Sequence, residues 1–425
     1  MTSDIVQTIL DRMQQLHPKV IDLSLGRIKR LLQKLDHPER RLPPVVHVAG
    51  TNGKGSTVAL LRTILGQEGY RVHSYTSPHL VRFNERINLA GEDVSDTILV
   101  NALETVLIAN RNEPITFFEL TTAAALMLFA DTLADVLILE VGLGGRLDAT
   151  NVVDTPVCCI ITPISHDHHD YLGNTLAKIA FEKAGIIKPG VPVVSARQPL
   201  EVANVLAKVA MQRCAPLYSN VLDWNVEEQA EGFIYTGLGG TANWYPLPAL
   251  AGAHQINNAG GVLACLEIIQ DIIPVTEKAI VRGLKAVHWP GRLQPVSWPN
   301  LPFGWRVWLD GGHNPQGGEM LAAACATWDS PIYLIVGMGK NKDLAAYAKY
   351  FIGIVRKVVC VPIPHHLCYS PAEAVPVWQN LGIIASENKD ITLAMQAILD
   401  LEPPGDIVIA GSLYLVGSVL AQQTR

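Results

Sequence analysis

Val45-Val46-His47-Val48-Ala49-Gly50-Thr51-Asn52-Gly53-Lys54-Gly55-Ser56 is the stretch that decides the fold class. Val45 to Val48 reads as a buried strand. From Thr57 to Gly69 the residues Leu60, Leu61, Ile64 and Leu65 are spaced for one face of a helix. Between them stands a glycine-rich turn. Glycines let the backbone bend sharply and present successive N–H groups to phosphate oxygens, and the following helix adds its positive end. Lys54 is then placed to reach terminal phosphates, and the Ser56 hydroxyl to bind Mg²⁺. The spacing departs from the standard P-loop, because Gly50 lies two positions closer to the Gly-Lys pair and Gly55 intervenes before Ser56. The plain alternative is a strand-to-helix turn with no ligand. The order of strand, glycines, lysine, hydroxyl and helix favours a nucleotide.

Outward from this turn, short apolar runs alternate with helical patterns, the mark of parallel strands joined by crossover helices. Val136 to Leu139, Val157 to Ile161 and Val191 to Val194 read as further strands, solidly apolar because both faces of a parallel sheet are covered. From Val221 to Pro248 the pattern shortens and Gly, Trp and Tyr accumulate, which suggests a small antiparallel β-rich insert. A Pro-Gly break at His288-Trp289-Pro290-Gly291 marks a boundary. Beyond it Val307 to Leu309, Ile332 to Val336, Val358 to Val361 and Ile407 to Ala410 read as strands of a second α/β pattern. The expected architecture is α/β: a P-loop NTPase-like domain with a mainly parallel sheet over residues 1–290, then a smaller Rossmann-like domain over residues 291–425.

Composition narrows the function. A chain of 425 residues exceeds what one hydrophobic core usually supports. With 49% hydrophobic and 17% charged residues it falls outside the disordered class. A net charge of −6 offers no footprint for nucleic acid or an anionic membrane, so a small-molecule partner is expected. The N-terminus lacks a basic segment followed by an apolar core, so no signal peptide is expected. The most apolar stretch, Thr121 to Gly145, is interrupted by Asp131, Asp135 and Glu140, too many charges for a membrane span. Seven scattered cysteines without a C-x-x-C pair read as reduced thiols of a cytoplasmic protein.

Several segments carry site chemistry. Glu140 closes the strand Val136 to Leu139, where a phosphoryl-transfer site places a carboxylate near its metal. The glycine-rich loop Val141 to Asn151 follows. Ser165-His166-Asp167-His168-His169-Asp170-Tyr171 reads as a solvated turn, a zinc site or a magnesium site. Because Mg²⁺ prefers oxygen, Asp167 and Asp170 rank above the histidines as its ligands. Lys183 has nothing intrinsic to mark it and reads as a solvated charge. Arg292, just past the Pro-Gly break, can clamp a phosphate. Asp310, at a strand end beside Gly311 and Gly312, fits a ribose-binding arrangement, although Asp-Gly and Asn-Pro are also common turn formers.

Together and in this order, these segments resemble the dihydrofolate synthase/folylpolyglutamate synthase family of the Mur ligase superfamily, over essentially the whole chain. The resemblance also rests on Ile21-Asp22-Leu23-Ser24-Leu25-Gly26-Arg27-Ile28, Thr76-Ser77-Pro78-His79-Leu80, Thr116-Phe117-Phe118-Glu119, Leu172-Gly173, Glu182-Lys183-Ala184-Gly185-Ile186 and Asn258-Ala259. It implies that Thr51, Asn52, Gly53 and Lys54 hold ATP phosphates, and that Ser77, Glu140 and His168 ligate two Mg²⁺ ions, replacing the preference for Asp167. It implies a Lys183 carbamylated by CO₂. Asn258, Arg292 and Asp310, with His313, would contact ATP. Ile21, Asp22 and Leu23, Thr116 to Glu119, and Leu147, Asp148 and Ala149 would bind the pterin substrate. Two departures stand out: Gly312 where members commonly carry alanine, and Ser24 where glycine is frequent.

The implied reaction is carried by a cytoplasmic monomer. A substrate carboxylate takes the γ-phosphoryl group of ATP, and the amine of L-glutamate displaces phosphate from the acyl phosphate, with dihydropteroate and folates as acceptors. Lys54, Lys183 and His168 are the expected catalytic groups. The form of Gly145 to Asn151 points to both activities. Alternatives are a folylpolyglutamate synthase alone, a UDP-muramoyl amino-acid ligase, and a P-loop ATPase without ligation.

Overall fold

In the first half of the chain, the β-branched and leucine-rich runs form strands whose every residue is buried. Val45–Ala49 (β1) and Val136–Glu140 (β5) show this pattern throughout. The computed structural model describes residues 2–17, 19 and 21–423. The described chain divides into two compact units. One comprises the chain to Ile164 with Asp170–Ala249 and Ile256–Val287; the other comprises Ser165–His169, Leu250–Gln255 and the chain from His288.

The first unit is built on an eight-stranded sheet. Besides β1 and β5 it contains Val72–Tyr75 (β2), Ile87–Leu89 (β3), Glu92–Asp93 (β4), Cys158–Ile161 (β6), Val193–Ser195 (β7) and Leu217–Ser219 (β8). Their order is β4-β3-β2-β5-β1-β6-β7-β8. The six strands from β2 to β8 across the sheet run parallel, and only the β2–β3–β4 edge is antiparallel. Two apolar clusters lie along one face of this sheet, and Val46, Val48, Ile138 and Ile160 on the opposite face are buried as well. One cluster gathers Leu103, Leu120, Phe129 and Leu137, and the other gathers Cys159, Ile161, Ile179 and Leu206. This explains why the central strands carry no alternation of polar residues.

Helix Lys54–Glu68 follows β1, as its leucine spacing requires, and packs against helix Glu277–Ala286. There Gly283 permits close contact: a β-carbon would lie 2.5 Å from Ile64 Cγ1. A meander of Asn225–Gln229 (β9), Gly232–Thr236 (β10) and Ala242–Pro246 (β11) forms the antiparallel insert read between residues 221 and 248. Its start rests on helix Ala253–Ile269, where a β-carbon at Gly260 would lie 2.8 Å from the buried Trp224.

The second unit has a six-stranded sheet. Gln294–Val296 (β12) is antiparallel, and Arg306–Asp310 (β13), Ile332–Val336 (β14), Lys357–Cys360 (β15), Ala385–Glu387 (β16) and Asp406–Ala410 (β17) are parallel. The order is β12-β13-β17-β14-β15-β16. Tyr347, Phe351 and Trp378 interlock as an aromatic layer within its core. Among the described residues, no helix is long and apolar enough to cross a membrane.

Candidate active site

In a parallel sheet the ligand site lies at the carboxyl ends of the strands. In the first unit those ends carry the segments singled out above. Gly50 leaves β1 at φ +149°, and a β-carbon there would sit 1.8 Å from Thr162 Oγ1 beyond β6, so only glycine fits. The amides of Thr51 and Asn52 donate to the Pro163 carbonyl at 3.0 and 3.3 Å, which pins the loop to the end of β6. Gly53, at φ +86°, starts the helix, and a β-carbon on it would lie 2.6 Å from Asn258 Oδ1. The first intrahelical bond runs from Thr57 N to Gly53 O at 2.9 Å. The Gly55 and Ser56 amides precede that bond at the positive helix end, the arrangement that binds phosphate. Lys54 Nζ donates to the carbonyls of Gly50 and Thr51, each at 3.1 Å.

Lys183 corrects the reading of a solvated charge. Only 5% exposed, it donates from Nζ to the Gly50 carbonyl at 2.7 Å. Its helix, Leu176–Ala184, buries Ile179, Ala180, Lys183 and Ala184 on one stripe. That helical spacing was the available signal. The glycine-rich loop is docked on the end of this helix. Arg146 N donates to Glu182 O at 2.7 Å, and a β-carbon at Gly185 would collide with Arg146. Asn151 Nδ2 bridges the carbonyls of Arg146 and Gly185 at 3.0 and 3.1 Å.

Glu140, 4% exposed, ends β5, and Ser77 follows β2. The register that pairs Tyr75 with Leu139 brings the two chain exits to the same level on neighbouring strands. Both present oxygen, and Glu140 is an acid buried at a strand end. This donor set suits a hard cation such as Mg²⁺.

The three segments implied for the pterin converge. Arg27 joins Asp22 to Glu119, with 2.9 Å contacts to a carboxylate oxygen of each. Thr116 and Glu119 form a capping box at the start of helix Phe117–Asp131. Phe118 covers Gly142, where a β-carbon would approach its ring to 2.4 Å. Asp148 is buried and pins the loop from within: Oδ1 accepts from Thr150 N at 2.9 Å and Thr150 Oγ1 at 2.6 Å, and Oδ2 accepts from Leu143 N at 2.8 Å. Burial raises its pKa against those hydrogen bonds. His47 Nε2 lies 2.9 Å from Thr150 Oγ1, and burial followed by Lys188 lowers its pKa to about 3, so the imidazole is neutral. Ile21, Leu23, Phe117, Leu147 and Ala149 complete these segments, with Ala149 buried and the rest half-buried. The Ser24 hydroxyl, at the departure from glycine, accepts from Gly26 N at 3.2 Å and closes the turn itself.

The second unit has a separate network at its own strand ends. Asp310, ending β13, accepts from Leu293 N at 3.0 Å and Gly312 N at 2.7 Å. Arg292 reaches the Gly291 carbonyl at 3.3 Å, and a β-carbon on Gly311 would lie 2.7 Å from its Nη1. Asp167, in the same unit, is largely buried. One of its oxygens pairs with Lys342 Nζ at 2.5 Å and accepts from His168 N at 2.8 Å, while the other accepts from Asn314 Nδ2 at 3.1 Å. Burial opposes its ionisation, but His168, His313 and Lys342 outweigh burial and hold the carboxyl far below the usual range. Asp167 thus ties the 165–169 segment to Asn314 and Lys342, and Asp170 is exposed. His168 adopts φ +51° on this anchor. Burial, then Lys342, lowers His313 to about 4. Sequence reading missed Lys342 and His254. The His254 pKa is lowered by burial and Arg292 against the pull of Asp310. The glycines Gly337 and Gly339, in the loop after β14, were the available signal for Lys342, and none marked His254.

Comparison with known proteins agrees with this geometry. Residues 48–266 match the Mur ligase middle domain. A dihydrofolate synthase/folylpolyglutamate synthase of Bacillus subtilis is 40% identical over 313 residues, 70% of this chain and 71% of that protein. The structure of E. coli FolC in complex with DHPP and ADP superimposes with a TM-score of 0.90 at 31% identity, covering 99% of this chain and 97% of that one. A bifunctional folylpolyglutamate synthase/dihydrofolate synthase with Mn, AMPPNP and L-glutamate bound gives a TM-score of 0.88 at 32% identity, covering 99% and 98%. The chain belongs to the dihydrofolate synthase/folylpolyglutamate synthase family of the Mur ligases.

Proposed function

We propose that this chain joins L-glutamate to dihydropteroate, and to folates, at the expense of ATP. The observation that carries the reading is the double anchoring of Gly50, whose carbonyl receives both Lys54 and the buried Lys183. Two lysine side chains are thereby held at a phosphate-binding turn, and the loop docked beside Lys183 is the one on which the pterin segments converge.

The substrate carboxylate attacks the γ-phosphorus as the bond to ADP breaks, giving an acyl phosphate. The glutamate amine then attacks the acyl carbon, the bond to phosphate breaks, and the amine proton is released. Lys54 follows the γ-phosphoryl charge, and the Gly53 to Ser56 backbone fixes the phosphates for in-line transfer. Asn258, packed on Gly53, holds the turn and contacts the nucleotide. Arg292, Asp310 and His313 are the further residues proposed to contact ATP. Ser77, Glu140 and His168 are the residues that would hold Mg²⁺, which would neutralise developing charge on the phosphate oxygens. Lys183, as the neutral amine, would add CO₂ at Nζ with release of a proton, exchanging a cation beside Gly50 for a carbamate anion that would suit a second metal ion. The relatives' complexes with DHPP and with L-glutamate support the substrate pair over a UDP-muramoyl one. Lys54→Ala should abolish glutamate-dependent ADP release while binding of dihydropteroate persists; retained release would overturn the proposal.

A further inference from the structure

Arg27 lies outside the substrate segments assigned above, yet it grips two of them. Its side chain is 14% exposed and donates through Nε to Glu119 Oε2 at 2.9 Å, through Nη1 to Asp22 Oδ2 at 2.9 Å, and through Nη2 to the Asp22 carbonyl. Glu119 is 3% exposed. The oxygen that receives Arg27 also accepts from Thr116 N at 2.9 Å and Thr116 Oγ1 at 2.7 Å. Three donors thus converge on Oε2. The other oxygen, Oε1, is buried with no hydrogen-bond partner. A capping box and an ion pair both satisfied through one atom leave the second carboxylate oxygen with an unmet demand, a costly condition unless a ligand meets it.

We propose that Arg27 is a positioning residue of the substrate pocket: it commits one Glu119 oxygen and ties down Asp22, leaving Glu119 Oε1 to accept from the N–H edge of the substrate's amino-substituted heterocycle. A pterin ring presents adjacent N–H donors on its pyrimidine half, and a carboxylate oxygen is their natural acceptor. Arg27 matters doubly, because its planar fork spans two acceptors that a lysine ammonium cannot reach together. The inference rests on reading Ile21 to Leu23, Thr116 to Glu119 and Leu147 to Ala149 as the pterin segments.

Glu119→Gln separates this role from a structural one. The donors gathered at Oε2 force the amide carbonyl of glutamine into that position, so its NH₂ replaces Oε1 and faces the substrate's donors. The KM for dihydropteroate should rise by about tenfold or more, and calorimetric binding of dihydropteroate should weaken in parallel, with the KM for ATP within about twofold. Arg27→Gln should raise the dihydropteroate KM in the same way, and Arg27→Lys should fall between. An unchanged dihydropteroate KM and binding in Glu119→Gln would overturn the inference. If Arg27→Gln fails to fold, Glu119→Gln and Arg27→Lys decide. Phe118→Ala tests the underlying reading: no change in dihydropteroate affinity there would defeat the pterin assignment itself. A loss there with none in the Glu119 and Arg27 variants would defeat only the role given to Arg27.

Discussion

Gly50→Ala tests how closely the phosphate-binding turn is built. The new β-carbon would sit 1.8 Å from Thr162 Oγ1 and 2.9 Å from the Thr162 carbonyl oxygen, whereas ordinary contact begins at 3.4 Å. Rotating the threonine relieves only the first of these. The turn must therefore move by roughly 0.5 Å if the threonine rotates and roughly 1.5 Å if it does not, and a misplacement of about 1 Å costs about 100-fold in rate. Backbone strain at φ +149° adds about 1–3 kcal/mol. Both lysine contacts end on the Gly50 carbonyl, so the displacement is passed directly to Lys54 and Lys183. Coupled measurement of ADP formation should show kcat/KM for ATP reduced about 100-fold, with a lowered unfolding midpoint. Thr162→Ala in the same chain should restore part of the activity, since it removes the nearest clash. Near-native kinetics in the single variant would refute the packing argument.

Other perturbations report on separate features. Lys183→Met keeps the side-chain volume but removes the donor to Gly50; ADP release should fall by about 100-fold or more with little change in far-ultraviolet circular dichroism. In its folded environment His47 stays neutral down to about pH 3, whereas an unfolded histidine titrates near 6.5. Between those values only the unfolded chain gains the proton, so its contribution is complete above 6.5 and lost on acidification toward 3, at up to about 1.4 kcal/mol per pH unit. Urea unfolding across that range should be shallower in pH dependence for His47→Gln. Asp406, fully buried, accepts from Arg306 at 2.7 and 2.6 Å, from Trp308 Nε1 at 2.7 Å and from Ser330 Oγ. Asp406→Ala should cost about 2–4 kcal/mol, measured by thermal unfolding.

The strands readable in the sequence are those covered on both faces. Val45, Val46 and Val48, or Val136 to Leu139, form unbroken apolar runs because no side of them meets water. By the same logic β2 escaped notice, since its middle residues are His73 and Ser74. Both are buried all the same, and His73 is satisfied by Thr132 O and Ala90 N at 3.0 Å each. Edge strands such as β8 and β16 are short and only partly covered, so they carry no period to detect. At the site, the turn from Gly50 to Ser56 was legible because glycine, lysine and hydroxyl requirements are local. Lys183 and Asp167 were not, because burial of a charge is decided by partners far away in the chain: Gly50 for one, Asn314 and Lys342 for the other. Segments 165–169 and 250–255 group with the second unit for the same kind of reason, which no composition shift announces.

The central claim is that the substrate carboxylate passes through an acyl phosphate formed at the Gly50 to Ser56 turn. Dihydropteroate whose carboxylate carries heavy oxygen, turned over with ATP, Mg²⁺ and L-glutamate, tests it directly by mass analysis of the released phosphate. One labelled oxygen should appear in inorganic phosphate for each amide formed. Phosphate free of label while the amide accumulates would contradict the account.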